Sequence, residues 1–227
     1  MDIILASGSP RRRELLSRVQ LDFSLLSVDI DETQYDNELP KDYIERMVAT
    51  KAQAAVHQLN ETHQTSKESS AAPLAEQLIV ITADTIGVLP DGKTVLVKPT
   101  DREHAYRMWQ QMSDNTHEVW TAVQVSKIAL LPVSSSLSDE SYDVPDQERC
   151  FQMIHQRQIT ERTEVNFIPL TTDMMSDYWD SGEPADKAGG YGIQGLGAAW
   201  VSRINGSYTN VVGLPLAQTL ALIKEMR

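Results

Sequence analysis

The sequence predicts an α/β fold built on a mixed, twisted sheet flanked by helices. Short apolar runs rich in β-branched residues alternate along the chain with amphipathic segments, which is typical of α/β proteins. One pair of strands is joined by the turn dipeptide Asp91-Gly92, so the sheet contains a hairpin and is not purely parallel. With 227 residues, 41% of them hydrophobic, the chain can bury one core divided into two lobes, or form two small domains.

The first half of the chain is predicted to contain two strands, two helices and the start of the hairpin. The elements are a buried strand over residues 2–6, a helix over about 10–19, an amphipathic helix over about 40–60, and an apolar strand over 78–83. Ser9 is the expected N-cap of the first helix, because Pro10 follows it and proline is favoured at the first helical position. Residues 61–76 lose all periodicity and are expected to form an exposed loop or inserted linker.

The rest of the chain is predicted to contain two helices and two strands. The elements are a helix from the capping-box pattern Thr100-Asp101-Arg102-Glu103 to about Met112, strands over 117–131 and 161–170, and a helix over 172–181 that ends at Gly182. Residues 132–149 are polar and acidic, and we interpret them as a second insertion.

Composition argues against several classes of protein. The formal net charge of −12 does not suit binding to nucleic acid or to an anionic membrane, so an anionic ligand must be held by a local positive pocket. No stretch approaches the roughly 18 apolar residues of a membrane span. The arginines near the N-terminus follow a short apolar run, the reverse of a secretory signal. The single cysteine, Cys150, suits a reducing compartment. We therefore expect a cytoplasmic protein with no membrane or nucleic-acid partner.

Three consecutive arginines at the start of the first predicted helix indicate an anion site. Arg11, Arg12 and Arg13 lie where the helix dipole is already positive and where backbone N–H groups are available to an anion. A bound polyphosphate would relieve the repulsion between them, with the Ser7 hydroxyl as a further donor. The alternative is a solvated basic patch that pairs with Glu14 or another acid.

Lys51 is predicted on the apolar face of the second helix. The apolar stripe around it consists of Ile44, Met47, Val48, Ala52, Ala55 and Leu59. An ammonium group suits this position if it reaches a partner such as a phosphate. Alternatively, its stem snorkels to the rim of the core.

A carboxylate and an ammonium are expected together at one end of the hairpin. Asp84 follows an apolar strand, and α/β sheets place ligand-binding residues at strand ends. A two-residue turn at Asp91-Gly92 puts Thr85 opposite Lys98, whereas a slip of one residue puts Asp84 there. The alternative function of this pair is a simple cross-strand salt bridge.

Residues 182–197, GEPADKAGGYGIQGLG, hold six of the eleven glycines of the chain. Such backbone freedom often accompanies tight turns or the close approach of a ligand to the main chain. A plain flexible loop has the same composition. The segment matches neither the P-loop pattern nor the dinucleotide-binding glycine pattern.

Several segments that are unspecific alone occur in one order along the chain. They are LASGSPRRRELL, KAQA, TADTIG, VKP, SGEPADKAGGYGIQGLG and INGSYTNVVGLPL. In this combination the chain resembles the Maf family of nucleotide pyrophosphatases, also described as septum formation inhibitors, over nearly its whole length. The resemblance implies a single domain over residues 1–227 with two lobes and a central cleft, interrupted by the polar stretches 61–76 and 132–149.

The resemblance also implies roles for individual residues. They are Asp84 as the catalytic residue, Glu32 and Asp84 as ligands of a divalent cation such as Mg²⁺ or Mn²⁺, and Ser7, Arg11, Arg12, Lys51 and Lys98 around the phosphates. The branch of the family that acts on dTTP and UTP carries Arg, Thr and Gln at three specificity positions. Arg11, Thr85 and Gln194 match them here.

The implied reaction is hydrolysis of a nucleoside triphosphate, dTTP or UTP, to the monophosphate and pyrophosphate. A homodimer is a family-level expectation. One alternative is the same reaction on another non-canonical nucleotide such as 7-methyl-GTP, although that branch of the family differs in the glycine-rich segment. Another is a nucleotide-binding regulator of cell division in which catalysis is secondary or absent.

Overall fold

The computed structural model describes residues 1–67, 75–133 and 149–227, and in these ranges it contains one mixed seven-stranded sheet and six α-helices. The helices are α1 (Pro10–Arg18), α2 (Pro40–Lys67), α3 (Arg102–Met112), α4 (Thr172–Asp180), α5 (Tyr208–Val212) and α6 (Leu216–Met226). The strands are β1 (Asp2–Ala6), β2 (Ser24–Leu26), β3 (Gln77–Val88), β4 (Val95–Leu96), β5 (Thr116–Pro132), β6 (Arg149–Phe167) and β7 (Val201–Asn205). The predicted fold class is confirmed.

The sheet is built around the long strand β3. The strand order is β2-β1-β3-β5-β6-β7, and β4 pairs with β3 outside this path. β1 is parallel to both β2 and β3, and the other pairs are antiparallel. β5 covers one edge of β3 from Gln77 to Val88. On the other edge, β1 pairs with residues 78–81 and β4 with residues 87 and 88, so residues 82–86 have no strand partner there within the described ranges.

Helices cover both faces of the sheet and one of its ends. An apolar cluster packs α1 and α6, with Leu16 and Ile223, on one face. Alternate residues of β3 belong to a second cluster that packs α2 on the opposite face. A third, aromatic cluster around Trp109 of α3 and Tyr178 of α4 forms the second lobe. None of the helices in the described ranges has the length and apolarity needed to cross a membrane.

The predicted loop over residues 61–76 is wrong in its first part, because α2 continues to Lys67. This polar end of the helix is held by tertiary contacts that a local pattern does not reveal. The His63 ring lies edge-on to the Phe151 ring of β6, with 5.7 Å between ring centroids. Residues 68–74 of the predicted loop lie outside the described residues.

The strand predicted to begin at residue 161 begins twelve residues earlier in the chain, at Arg149. β6 pairs with β5 from Asn166 opposite Thr116 to Arg149 opposite Pro132, with one irregularity in register between Lys127 and Ile128. Residues 154–158 of β6 are exposed, so they lack the apolar alternation by which strands are recognised. Residues 134–148 of the predicted insertion lie outside the described residues.

Two predicted helix starts differ in detail from the observed caps. Ser9 and Pro10 occupy the predicted first positions of α1, but the Ser9 side chain makes no capping hydrogen bond. Asp101, and not the first residue of the predicted capping box, caps α3 by accepting from the His104 backbone N–H. The charged acceptor of Asp101 caps the helix here without the reciprocal bond of a capping box.

Asn60 fastens the end of α2 to β6, and we expect Asn60→Ala to lower the free energy of unfolding by about 1–3 kcal/mol. Its side chain donates to the Phe151 carbonyl at 3.1 Å and accepts from the Phe151 N–H at 2.6 Å. Removal of the amide leaves both backbone groups without these partners beside a buried ring. Chemical denaturation measures the change. Gln53→Ala, at an exposed position of the same helix, is the control and should stay within about 0.5 kcal/mol of the parent. Equal losses in the two variants would contradict the prediction.

Candidate active site

A cleft of about 720 Å³ opens along the uncovered part of the β3 edge. Its walls come from the turn after β1, from α2, β3 and the segment after β4, and from the glycine-rich segment of the second lobe. The predicted site residues that line it are Ser7, Arg11, Arg12, Glu32, Lys51, Asp84, Thr85, Lys98 and Gln194. The structure therefore brings together all nine residues that the sequence and the resemblance indicated.

Asp84 lies inside β3, so the prediction that it ends a strand is wrong. The strand continues to Val88, and Asp84 pairs with Ala122 of β5 on its covered edge. Asp84 lines the cleft where β1 and β4 leave the opposite edge of β3 open, and not at a place where the strand stops.

Lys51 is held between two carboxylates. Its Nζ lies 2.7 Å from Asp84 Oδ1 and 2.7 Å from Glu32 Oε1. The Lys51 side chain is only 11% exposed, so of the two alternatives the one in which the ammonium reaches a partner is observed, although its partners are carboxylates and not a phosphate. Two anionic partners compensate the desolvation of a cation that sits in the apolar face of α2.

The pKa of the Glu32 carboxyl is held below its usual value. Its partial burial alone would raise the pKa, but the hydrogen bond and the charge of Lys51 outweigh this, with smaller contributions from the charges of Lys98 and Arg12. The Glu32 carboxyl is therefore ionised at neutral pH.

The oxygens that Lys51 does not contact fit a divalent cation. Within the described residues, neither Asp84 Oδ2 nor Glu32 Oε2 accepts a hydrogen bond. Carboxylate oxygens are the ligands that Mg²⁺ prefers, and Mg²⁺ is commonly bound by one or two carboxylates together with substrate phosphates. No group of three or more metal-ligating side chains exists in the described ranges, so water and phosphate oxygens would complete the coordination.

Arg12 is buried, and acceptors of the protein occupy most of its guanidinium. Its Nε donates to Gly213 O at 2.8 Å, and its Nη1 donates to Ala83 O at 2.9 Å and to Ser7 Oγ at 3.1 Å. Its Nη2 donates to Thr85 Oγ1 at 3.0 Å. The guanidinium thereby joins the start of α1, the open edge of β3 and the turn after α5, and one N–H donor is left for a ligand.

Arg11 and Lys98 are exposed cations at the cleft, and neither forms an ion pair within the described part of the chain. Glu14 pairs with Arg18 at 2.6 Å, and none of the three arginines forms an ion pair in the described part of the chain, so the pairing with an acid that the alternative includes is not observed. Gly87 pairs with Leu96, which is the register that puts Thr85 opposite Lys98, but β4 ends before Lys98 is reached.

The glycine-rich segment forms the wall of the cleft opposite Asp84. Gln194 lies on it with an exposed side chain that makes no hydrogen bond among the described residues. Sequence reasoning did not select Glu183 and Tyr191, which also line this wall. The density of glycines was the only available signal that side chains approach the main chain closely here.

Known proteins similar to the chain identify its family. A family model described as Maf-like protein matches residues 2–226. The chain belongs to the Maf family. This Maf-family chain is 70% identical over 227 residues to a protein of Psychrobacter arcticus named dTTP/UTP pyrophosphatase, with 100% of the chain and 95% of the relative covered.

Two further relatives of this Maf-family chain carry the same name. A protein of Psychrobacter cryohalolentis is 69% identical over 227 residues, covering 100% of the chain and 97% of the relative. A protein of Pseudoalteromonas atlantica is 38% identical over 224 residues, covering 99% of the chain and 96% of the relative. The family predicted from the sequence motifs is confirmed.

We expect Lys51→Met to raise the pKa of Glu32, because the substitution removes both the hydrogen bond and the nearest positive charge. In the parent, the stability that Glu32 contributes is present above its unfolded pKa and is lost as the pH falls through its lowered folded pKa. This loss should become smaller in the variant. Carboxyl-detected NMR titration measures the pKa directly.

Lys41→Met is the matched control, since Lys41 lies on the same helix with a 57% exposed side chain that pairs with Glu45. It should leave the pKa of Glu32 unchanged. A pKa that is equal in both variants would contradict the arrangement around Lys51.

Proposed function

We propose that the chain hydrolyses dTTP and UTP to the nucleoside monophosphate and pyrophosphate. The observation that carries the proposal is the convergence of Arg11, Lys51 and Lys98 on Asp84 and Glu32 in one cleft. Relatives that are 70% and 69% identical over all of the chain, both named dTTP/UTP pyrophosphatase, support it. The volume of about 720 Å³ suits a nucleotide-sized ligand.

The phosphates are bound by the cations that the protein leaves unneutralised. Arg11 and Lys98 line the cleft without ion-pair partners among the described residues, so their charge is available to a polyanion. Ser7 also lines the cleft, where its hydroxyl already accepts from Arg12 at 3.1 Å. Its own O–H therefore remains a donor for a phosphate oxygen.

Asp84 orients the attacking water and takes its proton. Lys51 fixes Oδ1 of Asp84, while Oδ2 keeps two lone pairs, of which one can accept a hydrogen bond from the water and the other can face a cation. The water oxygen forms a bond to the α-phosphorus, the bond from this phosphorus to the bridging oxygen breaks, and pyrophosphate leaves with the electron pair. Arg11 and Lys98 stabilise the charge that develops on the leaving group. A divalent cation held by Glu32 and Asp84 would supply further neutralisation of the phosphate oxygens.

Gln194 recognises the base. A side-chain amide can donate to a carbonyl oxygen and accept from the imide N–H, and uracil and thymine present this pair on one edge. Thr85 acts differently, because its hydroxyl is engaged by Arg12 at 3.0 Å and by Thr121 at 3.0 Å. It fixes Arg12 at the floor of the cleft.

Three further properties stay predictions of this proposal. A single domain over residues 1–227 is supported by the family model, which spans residues 2–226. A cytoplasmic location is expected for an enzyme of nucleotide metabolism. A homodimer is expected from the family.

We expect purified protein to release monophosphate and pyrophosphate from UTP and dTTP with a kcat/KM at least about tenfold above that for CTP, ATP and GTP. The reason is that loss of one well-placed hydrogen-bonding pair costs roughly 10-fold or more. A panel of triphosphates that includes 7-methyl-GTP, with both products quantified, measures this. Preference for 7-methyl-GTP would contradict the proposed substrate and favour the branch of the family that acts on this nucleotide. Binding of nucleotides without turnover would favour a nucleotide-binding regulator of cell division.

The same panel is run with a chelator and then with added Mg²⁺ or Mn²⁺. The two carboxylates beside Lys51 bind metal only together with substrate and water, so activity should vanish with the chelator and return with either cation. Undiminished activity in the presence of the chelator would contradict the proposed role of a divalent cation.

We expect Asp84→Asn to lower kcat on UTP by about 10²- to 10⁴-fold, because an amide cannot accept the proton of the attacking water. The dissociation constant of UTP, measured by calorimetry, should change far less, since the cations that hold the phosphates remain. Asp22→Asn, at an exposed position outside the cleft, is the control. A parental rate of pyrophosphate release from Asp84→Asn would refute the assignment.

A further inference from the structure

The carboxylate of Glu183 closes the glycine-rich segment into a loop. Its Oε2 accepts from the Leu196 N–H at 2.8 Å, and its Oε1 accepts from the Gly197 N–H at 3.3 Å. The same Oε1 accepts from Tyr178 Oη at 2.7 Å. Hydrogen bonds to an ionised acceptor are about twice as strong as neutral ones, so this carboxylate is a firm anchor for the main chain.

Tyr178 adds a second anchor from the aromatic core. While its hydroxyl donates to Glu183, the same oxygen accepts from the Gly192 N–H at 3.1 Å. Its ring packs against the Trp200 ring, with 4.5 Å between centroids, and against the Trp109 ring at 5.6 Å. The position of the hydroxyl is therefore fixed by the second lobe.

Gln194 lies between the two anchored stretches. Gly192 is held two residues before it and Leu196 two residues after it, and the Gly195 N–H closes a turn on Gly192 O at 3.2 Å. The main chain at Gln194 is thus fixed on both sides, although its side chain is exposed.

The two anchors also explain why glycines occupy this wall. A Cβ on Gly195 would collide with the carboxylate oxygens of Glu183. A Cβ on Gly197 would lie 2.7 Å from Tyr178 Oη, closer than such contacts are normally found. Glycine is required where these side chains approach the backbone, so the composition reflects a built loop and not a flexible one.

Glu183 remains ionised at this position. Its partial burial would raise its pKa, but the hydrogen bonds from Tyr178 and from the Leu196 and Gly197 N–H groups outweigh this and lower it. The ionised form accepts at both oxygens, as the three hydrogen bonds require.

We propose that Glu183 is a positioning residue that sets the base selectivity of the cleft by fixing Gln194 through the backbone of residues 192–197. The proposal rests on the function proposed above, in which Gln194 recognises uracil or thymine. The side chain of Glu183 bonds to Tyr178, Leu196 and Gly197, which hold the backbone on both sides of Gln194, and it bonds to neither Asp84 nor Lys51.

The test compares Glu183→Gln with the parent. The amide can keep one acceptor, but its NH₂ then faces a donor, either Tyr178 or the Leu196 backbone. We expect kcat/KM for UTP to fall about tenfold, mostly through a higher KM. This loss is smaller than the roughly 10²-fold loss that a 1 Å displacement of a reacting group causes, because Gln194 contacts the base and not the reacting phosphate. The preference for UTP over CTP should fall with it. Hydrogen exchange at residues 192–197 should become about tenfold faster.

Two further variants make the result specific. Tyr178→Phe removes the donor to Glu183 and the acceptor for Gly192. As in Glu183→Gln, hydrogen exchange should become faster and the preference for UTP over CTP should fall. It also replaces Glu183→Gln if that variant fails to fold by circular dichroism. Asp177→Asn, an exposed carboxylate next to Tyr178 on α4, is the control and should match the parent in every measurement.

The outcomes separate this proposal from the proposed function. If the parent prefers UTP and both Glu183→Gln and Tyr178→Phe keep that preference and the parental exchange rates, the role of Glu183 is refuted. If the parent shows no preference for UTP, the proposed function is wrong. In that case the hydrogen exchange of residues 192–197 still tests the anchoring of Gln194. Exchange at the parental rate in both variants would overturn the anchoring, and faster exchange would support it.

Discussion

The pairing of Lys51 with Asp84 and Glu32 is the interaction on which the rest of the cleft depends. An ammonium in the apolar face of α2 is tolerated only because two carboxylates neutralise it, so it determines how α2 lies against β3. The Thr82 hydroxyl, which donates to Val48 O at 2.9 Å, fastens the same two elements. One cation therefore stabilises the packing of the first lobe and holds the acids that the proposed chemistry requires.

Much of the fold follows from local pattern, and the errors have a common origin. β1, β5 and α4 form near their predicted bounds because their apolar residues are buried in the hydrophobic clusters of the molecule. The end of α2 and the start of β6 were missed because they are polar and are stabilised by each other, through Asn60 and Phe151. The short strands β2 and β7 and the last two helices were not assigned at all. Pairing between distant segments leaves little trace in a window of ten residues.

The members of the candidate site were predictable, but their arrangement was not. Arginines at a helix start, a lysine on an apolar stripe and an acid after an apolar strand each attract attention, and the Maf resemblance joins them. No local signal reveals that the Nε of Arg12 donates to the carbonyl of Gly213, which lies 201 residues further along the chain. Likewise, the role of Glu183 becomes visible only when the glycines that it touches are seen folded around it.

The opening in the β3 edge has a consequence for solubility. A strand edge with free carbonyl and N–H groups invites pairing with the edge of another molecule, and proteins usually block such edges. Here the Ala83 carbonyl is covered by the Arg12 guanidinium, and a charged lysine lies against the neighbouring aspartate. Charged groups at an edge are the usual protection against sheet-to-sheet aggregation. The groups that shape the cleft therefore also keep a necessary break in the sheet from becoming a point of self-association.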